Sequence, residues 1–143
     1  MSRQKISREW ARKTIQSAGL RATPARVATL KVLAEAKTPL THAEVSEAIQ
    51  QLEVDKATVF RNLNDMVAVQ LVRRSELGDH VWRFELIRES DQEHGAHPHF
   101  VCVDCGTVSC AEDIELSQKS KSASQLIGQV TEILLRGHCN DCV

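Results

Sequence analysis

Residues 55–87, DKATVFRNLNDMVAVQLVRRSELGDHVWRFELI, change their periodicity partway along. Asp55 is placed to cap a helix, and Val59, Leu63, Met66 and Val67 follow at helical spacing. From Leu71 the period falls to two: 71–76 and 80–87 read as strands joined by a turn at Gly78-Asp79. In the second strand Trp82, Phe84 and Leu86 alternate with Val81, Arg83 and Glu85. A helix running into a hairpin is the second half of a winged helix-turn-helix.

The residues upstream supply the first half. Ser7 to Ala18 reads as a helix closed by Gly19, and Thr23-Pro24 gives an N-cap followed by proline at the first helical position. Val27, Leu30, Leu33 and Ala34 continue that helix, and Pro39 ends the stretch. Thr41 with Glu44 forms a capping box for a third helix, whose buried stripe is expected at Val45, Ile49 and Leu52. Residues 1–87 are therefore expected to form one domain. The polar segment 88–95 reads as a hinge and 96–143 as a second domain.

That second part carries four of the five cysteines as two Cys-x-x-Cys pairs, Cys102/Cys105 and Cys139/Cys142. Two residues between thiolates let both sulfurs of a tight turn face one point, and two such turns complete a tetrahedron around Zn2+. The long interval between the pairs predicts strands near 100–102 and 107–110, a helix over 112–127, and a strand at 131–135. The overall fold class is α+β, with the C-terminal α/β domain stapled by structural zinc.

Composition narrows the function. The net charge of −1 conceals an asymmetry: residues 1–88 hold 15 Lys/Arg against 10 Asp/Glu, and residues 89–143 hold 3 against 9. Within 1–31, eight basic residues face the single acid Glu9, a density suited to phosphate contact. No apolar run approaches the ~20 residues of a membrane span. The N-terminus has no signal-peptide core, so the chain is expected in the cytoplasm, with thiols reduced and metal-bound. No nucleophile elbow, glycine-rich phosphate loop or H-E-x-x-H is present. Neither an enzymatic activity nor a small-molecule substrate is expected, although His97, His99 and Cys110 leave a hydrolytic zinc site compositionally open.

On the fourth helix, Lys56, Thr58, Phe60, Arg61 and Asn62 occupy the turns that enter the major groove in helix-turn-helix proteins. The plainer alternative is an amphipathic helix with a solvated basic face. His97 and His99 form an H-x-H pair whose imidazoles share one face of a strand, which suits a shared metal. Cys110, outside the four-cysteine set, reads as a buried small residue, a redox thiol or a ligand to a second metal. Glu85 and His42 are further ligand candidates.

The order and combination of GLRATPARVATLKVL (19–33), KATVFRNLNDM (56–66), VWRFEL (81–86), HPHFVCVDCG (97–106) and GHCNDC (137–142) resemble the ferric uptake regulator (Fur) family of metal-sensing repressors. The resemblance spans about residues 10–142. It implies a homodimer on a palindromic, AT-rich double-stranded DNA operator, contacted also by Arg21, with a metal near the hinge favouring the DNA-competent form. It implies regulatory ligands at Glu85, His97, His99 and Cys110. Pro39 stands where many relatives place a histidine, for which His42 is the substitute. Ala96 and Pro98 remove a further site common in relatives, and Phe60 replaces the usual tyrosine. Thiolate with imidazole favours Zn2+ in the regulatory site over Fe2+ or Mn2+, and so the zinc-uptake (Zur) branch. Iron, manganese or peroxide sensing on the same fold is the alternative, and a zinc enzyme the remote one.

Overall fold

The structure, a computed structural model, describes residues 6–88, 98–111, 113–128, 130 and 132–143. It divides into two compact units, Met1–Ile87 and Arg88–Val143.

The first unit runs α1 (Arg8–Ser17), α2 (Pro24–Glu35), β1 (Leu40–Thr41), α3 (His42–Ala48), a 3₁₀ turn (Gln50–Leu52), α4 (Lys56–Ala68), β2 (Val72–Glu76) and β3 (Trp82–Leu86). Each α-helix begins at a side-chain cap. Ser7, Thr23, Thr41 and Asp55 accept from the amides of Trp10, Arg26, Glu44 and Thr58, and Glu44 returns a bond to the Thr41 amide. These caps satisfy amides that no helical partner reaches, so the polar sequence signals set the boundaries.

Ile15, Leu30, Leu33, Val45, Val59, Leu63, Met66, Val72 and Phe84 form one buried cluster, in which helices α1 to α4 and the sheet meet. Leu52 does not join it and is 46% exposed. The chain tightens into a 3₁₀ turn after Ile49, advancing about 20° more per residue than an α-helix, so the expected i+7 position rotates off the apolar stripe. Glu53, at φ 53°, then ends that turn.

The sheet has the order β1-β3-β2, all antiparallel. The two-residue β1, unannounced by any sequence period, sets Leu40 opposite Phe84. The β2–β3 hairpin registers Val72 on Leu86 and Glu76 on Trp82. Its loop carries positive φ at Gly78 and His80, and the Glu76 carboxylate accepts from both amides. Phe84 is buried, but Trp82, near the hairpin tip, stays exposed with the Arg74 guanidinium 4.3 Å above its ring.

The second unit contains β4 (His99–Cys102), β5 (Val108–Cys110), α5 (Gln118–Ile127) and β6 (Leu134–Gly137). Its sheet has the order β5-β4-β6. β4 and β5 are antiparallel, whereas β4 and β6 are parallel, with Cys102 opposite Gly137. The parallel pairing explains the long interval between the cysteine pairs: a crossover connection has to carry the chain back. α5 starts at Gln118, not near 112, because Ser117 caps the Ser120 amide and residues 113–117 are non-helical. β6 likewise begins at Leu134, three residues later than expected. Of the hinge segment 88–95, only Arg88 lies among the described residues.

Candidate metal centres and nucleic-acid interface

Two backbone turns bring the four cysteines together. Cys102 ends β4, and its carbonyl accepts from the Gly106 amide, folding 102–106 into a knuckle. After β6 the Cys139 carbonyl accepts from the Cys142 and Val143 amides, making the second turn. The parallel register that sets Gly137 against Cys102 delivers this turn beside the first, and the Cys139 amide lies 3.4 Å from the Cys102 sulfur.

All four sulfurs fall within 4.8 Å of one another, and those of Cys105 and Cys139 are 3.8 Å apart. A tetrahedron with metal–sulfur bonds of about 2.3 Å has sulfur–sulfur edges of about 3.8 Å, so the set fits a four-thiolate ion of zinc's size. The protonation pattern follows from the same crowding. Backbone amides of Cys105 and Cys139 pull the Cys102 thiol down to about 6. The Thr107 hydroxyl, 3.0 Å from the Cys105 sulfur, lowers that thiol too. Cys142, pressed against the Cys139 and Cys105 sulfurs, is pushed up to about 12. Four thiolates cannot coexist at this spacing without a cation among them.

One feature of this site was not read from the sequence. Asp104, inside the first pair, and His138, just before the second, meet with carboxylate and Nδ1 2.5 Å apart. The pair ties the two knuckles together outside the sulfur cluster. An acid within the first Cys-x-x-Cys and a histidine adjoining the second were the available signals.

The second candidate centre rests on β4 and β5. His99 and Cys110 are direct antiparallel partners, so their side chains leave the same face of the sheet. His99 is buried and Cys110 half-buried. His97 lies outside the described residues. In the first unit, Glu85 is buried on β3, with the guanidinium of its cross-strand neighbour Arg73 3.9 Å away. His42, the other ligand candidate there, sets Nε2 2.6 Å from the Lys56 carbonyl, and its ring faces Phe60.

α4 presents only part of the expected reading surface. Lys56, Phe60 and Arg61 are exposed. Thr58 is half-buried, and its hydroxyl donates to the Asp55 carboxylate, which this bond holds below the usual carboxylate range. Asn62 is 7% exposed and takes its place on the inward face. At about 100° per residue it lies about 40° beyond Met66, on the flank of the Val59, Leu63 and Met66 stripe, and the way the helix packs decides that this flank is covered. Arg21 is exposed in the loop between α1 and α2, and its carbonyl accepts from Arg26. Arg26 also reaches Asp65 at 2.8 Å, bracing α2 against α4.

Comparison with known proteins adds the family context. A profile described as the ferric uptake regulator family matches residues 17–133. The chain is 33% identical over 138 residues to the ferric uptake regulation protein of Escherichia coli K12, covering 90% of this chain and 88% of the relative. The crystal structure of the Vibrio cholerae ferric uptake regulator aligns with a TM-score of 0.67 at 27% identity, covering 90% of this chain and 98% of that one. A zinc uptake regulator complexed with zinc and DNA shares the fold, with a TM-score of 0.64 at 18% identity, over 94% of this chain and 91% of that one.

Proposed function

Since the chain belongs to the ferric uptake regulator family of metal-responsive DNA-binding regulators, we propose that it is a zinc-sensing repressor that binds a palindromic, AT-rich operator as a homodimer. The observation that carries the choice of metal is the direct pairing of His99 with Cys110 on β4 and β5. Imidazole beside thiolate is a borderline-soft donor set that suits Zn2+, whereas iron and manganese sites of this kind lean on oxygen and nitrogen. His97 and Glu85 complete the proposed regulatory ligands. The four cysteines hold a separate structural Zn2+, which supplies a fixed tetrahedral cross-link when bound.

Recognition falls to α4. Lys56 and Arg61 are placed for phosphate or guanine, Phe60 for a thymine methyl, and Arg21 for the backbone. The excess of positive charge in residues 1–88 favours this end of the chain for DNA. The homodimer finds support in α5, where Leu126 and Ile127 stand 91% and 88% exposed. An apolar pair so exposed on a capped helix is suited to a second copy of the same surface.

The test is fluorescence anisotropy on the chain's own upstream DNA at fixed salt. After mild chelation, Zn2+, Fe2+ and Mn2+ are returned separately. Binding restored at the lowest free concentration by Zn2+ supports the reading. Restoration by Fe2+ or Mn2+ alone reassigns the metal, and binding indifferent to metal removes the sensor role. In the same assay Cys110→Ser weakens the Zn2+ response while the dimer stays folded. A half-buried thiol at Cys110 also motivates a second reading, a redox switch. Intact mass after peroxide treatment tests it by showing oxygen added at Cys110.

A further inference from the structure

His42 is a candidate metal ligand by its sequence, yet its ring makes two contacts on α4 of its own unit. Nε2 lies 2.6 Å from the carbonyl of Lys56, the first residue of α4. That carbonyl already takes the Phe60 amide in the helix, so the second lone pair requires Nε2 to carry the hydrogen. The imidazole then meets the Phe60 ring at 5.3 Å between centroids, tilted by 57°, within the range of favourable aromatic pairs. Phe60 itself is 42% exposed. Without a hydroxyl it has no polar anchor of its own, and an unbraced exposed ring would sample several rotamers.

We propose that His42 is a positioning residue for base recognition: it holds the Phe60 ring in the one orientation that packs on thymine methyl groups in the major groove. The inference rests on the DNA-binding reading and deepens it. The Lys56 bond fixes the imidazole to α4, and the imidazole fixes the ring, so ordering is complete before DNA arrives. A ring ordered in advance loses less entropy on binding and is less able to swing away from a wrong base.

The experiment compares the operator duplex with the same duplex carrying deoxyuridine for thymine, which removes only the C5 methyls. Full-length wild type, His42→Gln and His42→Phe are measured by anisotropy in Zn2+, with bound metal counted by mass spectrometry. Burial of one methyl predicts that wild type prefers the thymine duplex by about fourfold. His42→Phe keeps a ring against Phe60 but loses the Lys56 bond, and it retains only part of this preference. His42→Gln keeps a donor for Lys56 but has no ring, and its preference disappears, with bound metal unchanged in both variants. A His42→Gln protein that still discriminates thymine overturns the proposal, as does loss of bound metal in either variant. So does a wild type that binds both duplexes equally. A wild type that binds neither duplex with metal present defeats the DNA-binding reading instead.

Discussion

At Cys102 two backbone amides converge on one sulfur, and at Cys142 neighbouring sulfurs do the opposite, so a single cluster holds a thiol lowered to about 6 and another raised to about 12. Replacing one corner, as in Cys105→Ser, is expected to abolish stoichiometric metal, measured by mass spectrometry of the native protein. The Asp104–His138 pair is half-exposed, and exposed pairs contribute only about 0–1 kcal/mol. Asp104→Asn is therefore expected to leave the metal count intact and to speed its loss to a competing chelator, followed by dye absorbance. An equal rate of loss would reduce the pair to surface decoration. Asp55 supplies the pH dependence at this scale. The Thr58 hydroxyl bond lowers its carboxyl in the folded state, so its contribution is complete above the ordinary carboxylate range. That contribution is lost as pH falls through the lowered value. Asp55→Asn, which caps without ionising, should flatten the acid limb of a stability-against-pH curve. The cysteine pairs were legible in the sequence because a two-residue gap is a local geometry. The burial of Asn62 and the partners of His42 were not, because one depends on helix phase and the other on a residue 14 positions away.

Among the elements, capping residues told more than hydropathy. Thr23, Thr41 and Asp55 hold the capping role expected of them, and Ser7, read as the first helical residue, is instead the cap of α1. Thr41→Ala removes half of a capping box and is expected to cost about 1 kcal/mol, or roughly 4–8 °C in the melting temperature of a domain of this size. Leu63→Ala empties a fully buried site between helices and should cost about 2–5 kcal/mol by urea denaturation. Where caps compete, the reading slipped. The serines of 117–124 offered several starts, and Ser117 took the role, shortening α5. β1 has two residues, too few for any alternation to show, and exists because β3 offers an edge. The 3₁₀ turn that strands Leu52 in solvent carries no signal beyond the ordinary i, i+3 ambiguity of a short helix.

For the whole molecule, the division of labour follows charge and packing. The first unit has a buried cluster assembled from neighbouring helices and a hairpin, and holds the basic excess. Among the described residues of the second, α5 has no buried residue, and Leu126 and Ile127 lie open. Leu126→Glu with Ile127→Glu is expected to convert a dimer to a monomer in light scattering and to weaken operator binding in step. A variant that remains dimeric would place the interface elsewhere. Metal should matter unevenly too. Closing the loop of 34 residues from Cys105 to Cys139 costs about 3 kcal/mol in chain entropy. Structural Zn2+ in zinc-finger peptides contributes about 10–16 kcal/mol, so an ion of that kind held by the four cysteines would dominate. Chelation is thus expected to lower the melting transition of 88–143 far more than that of 1–87, seen as two separated peaks in calorimetry.

The parallel pairing of β4 with β6 also sets an order of events during synthesis. The first unit has distant pairings too, since Leu40 waits for Phe84, but all its partners precede the cysteine pairs in the chain, and its cluster can consolidate while the rest is still being translated. β4 has a local partner in β5 but receives β6 only about thirty residues later, a delay of a few seconds at ordinary translation rates. For that interval the first cysteine knuckle stands without the second, its Cys102 sulfur still lacking the Cys139 amide. The newborn chain therefore passes through a stage in which α4 is finished and the four-cysteine cluster is half built. During that stage the two thiols of the first knuckle depend on reducing surroundings and available metal more than on the fold.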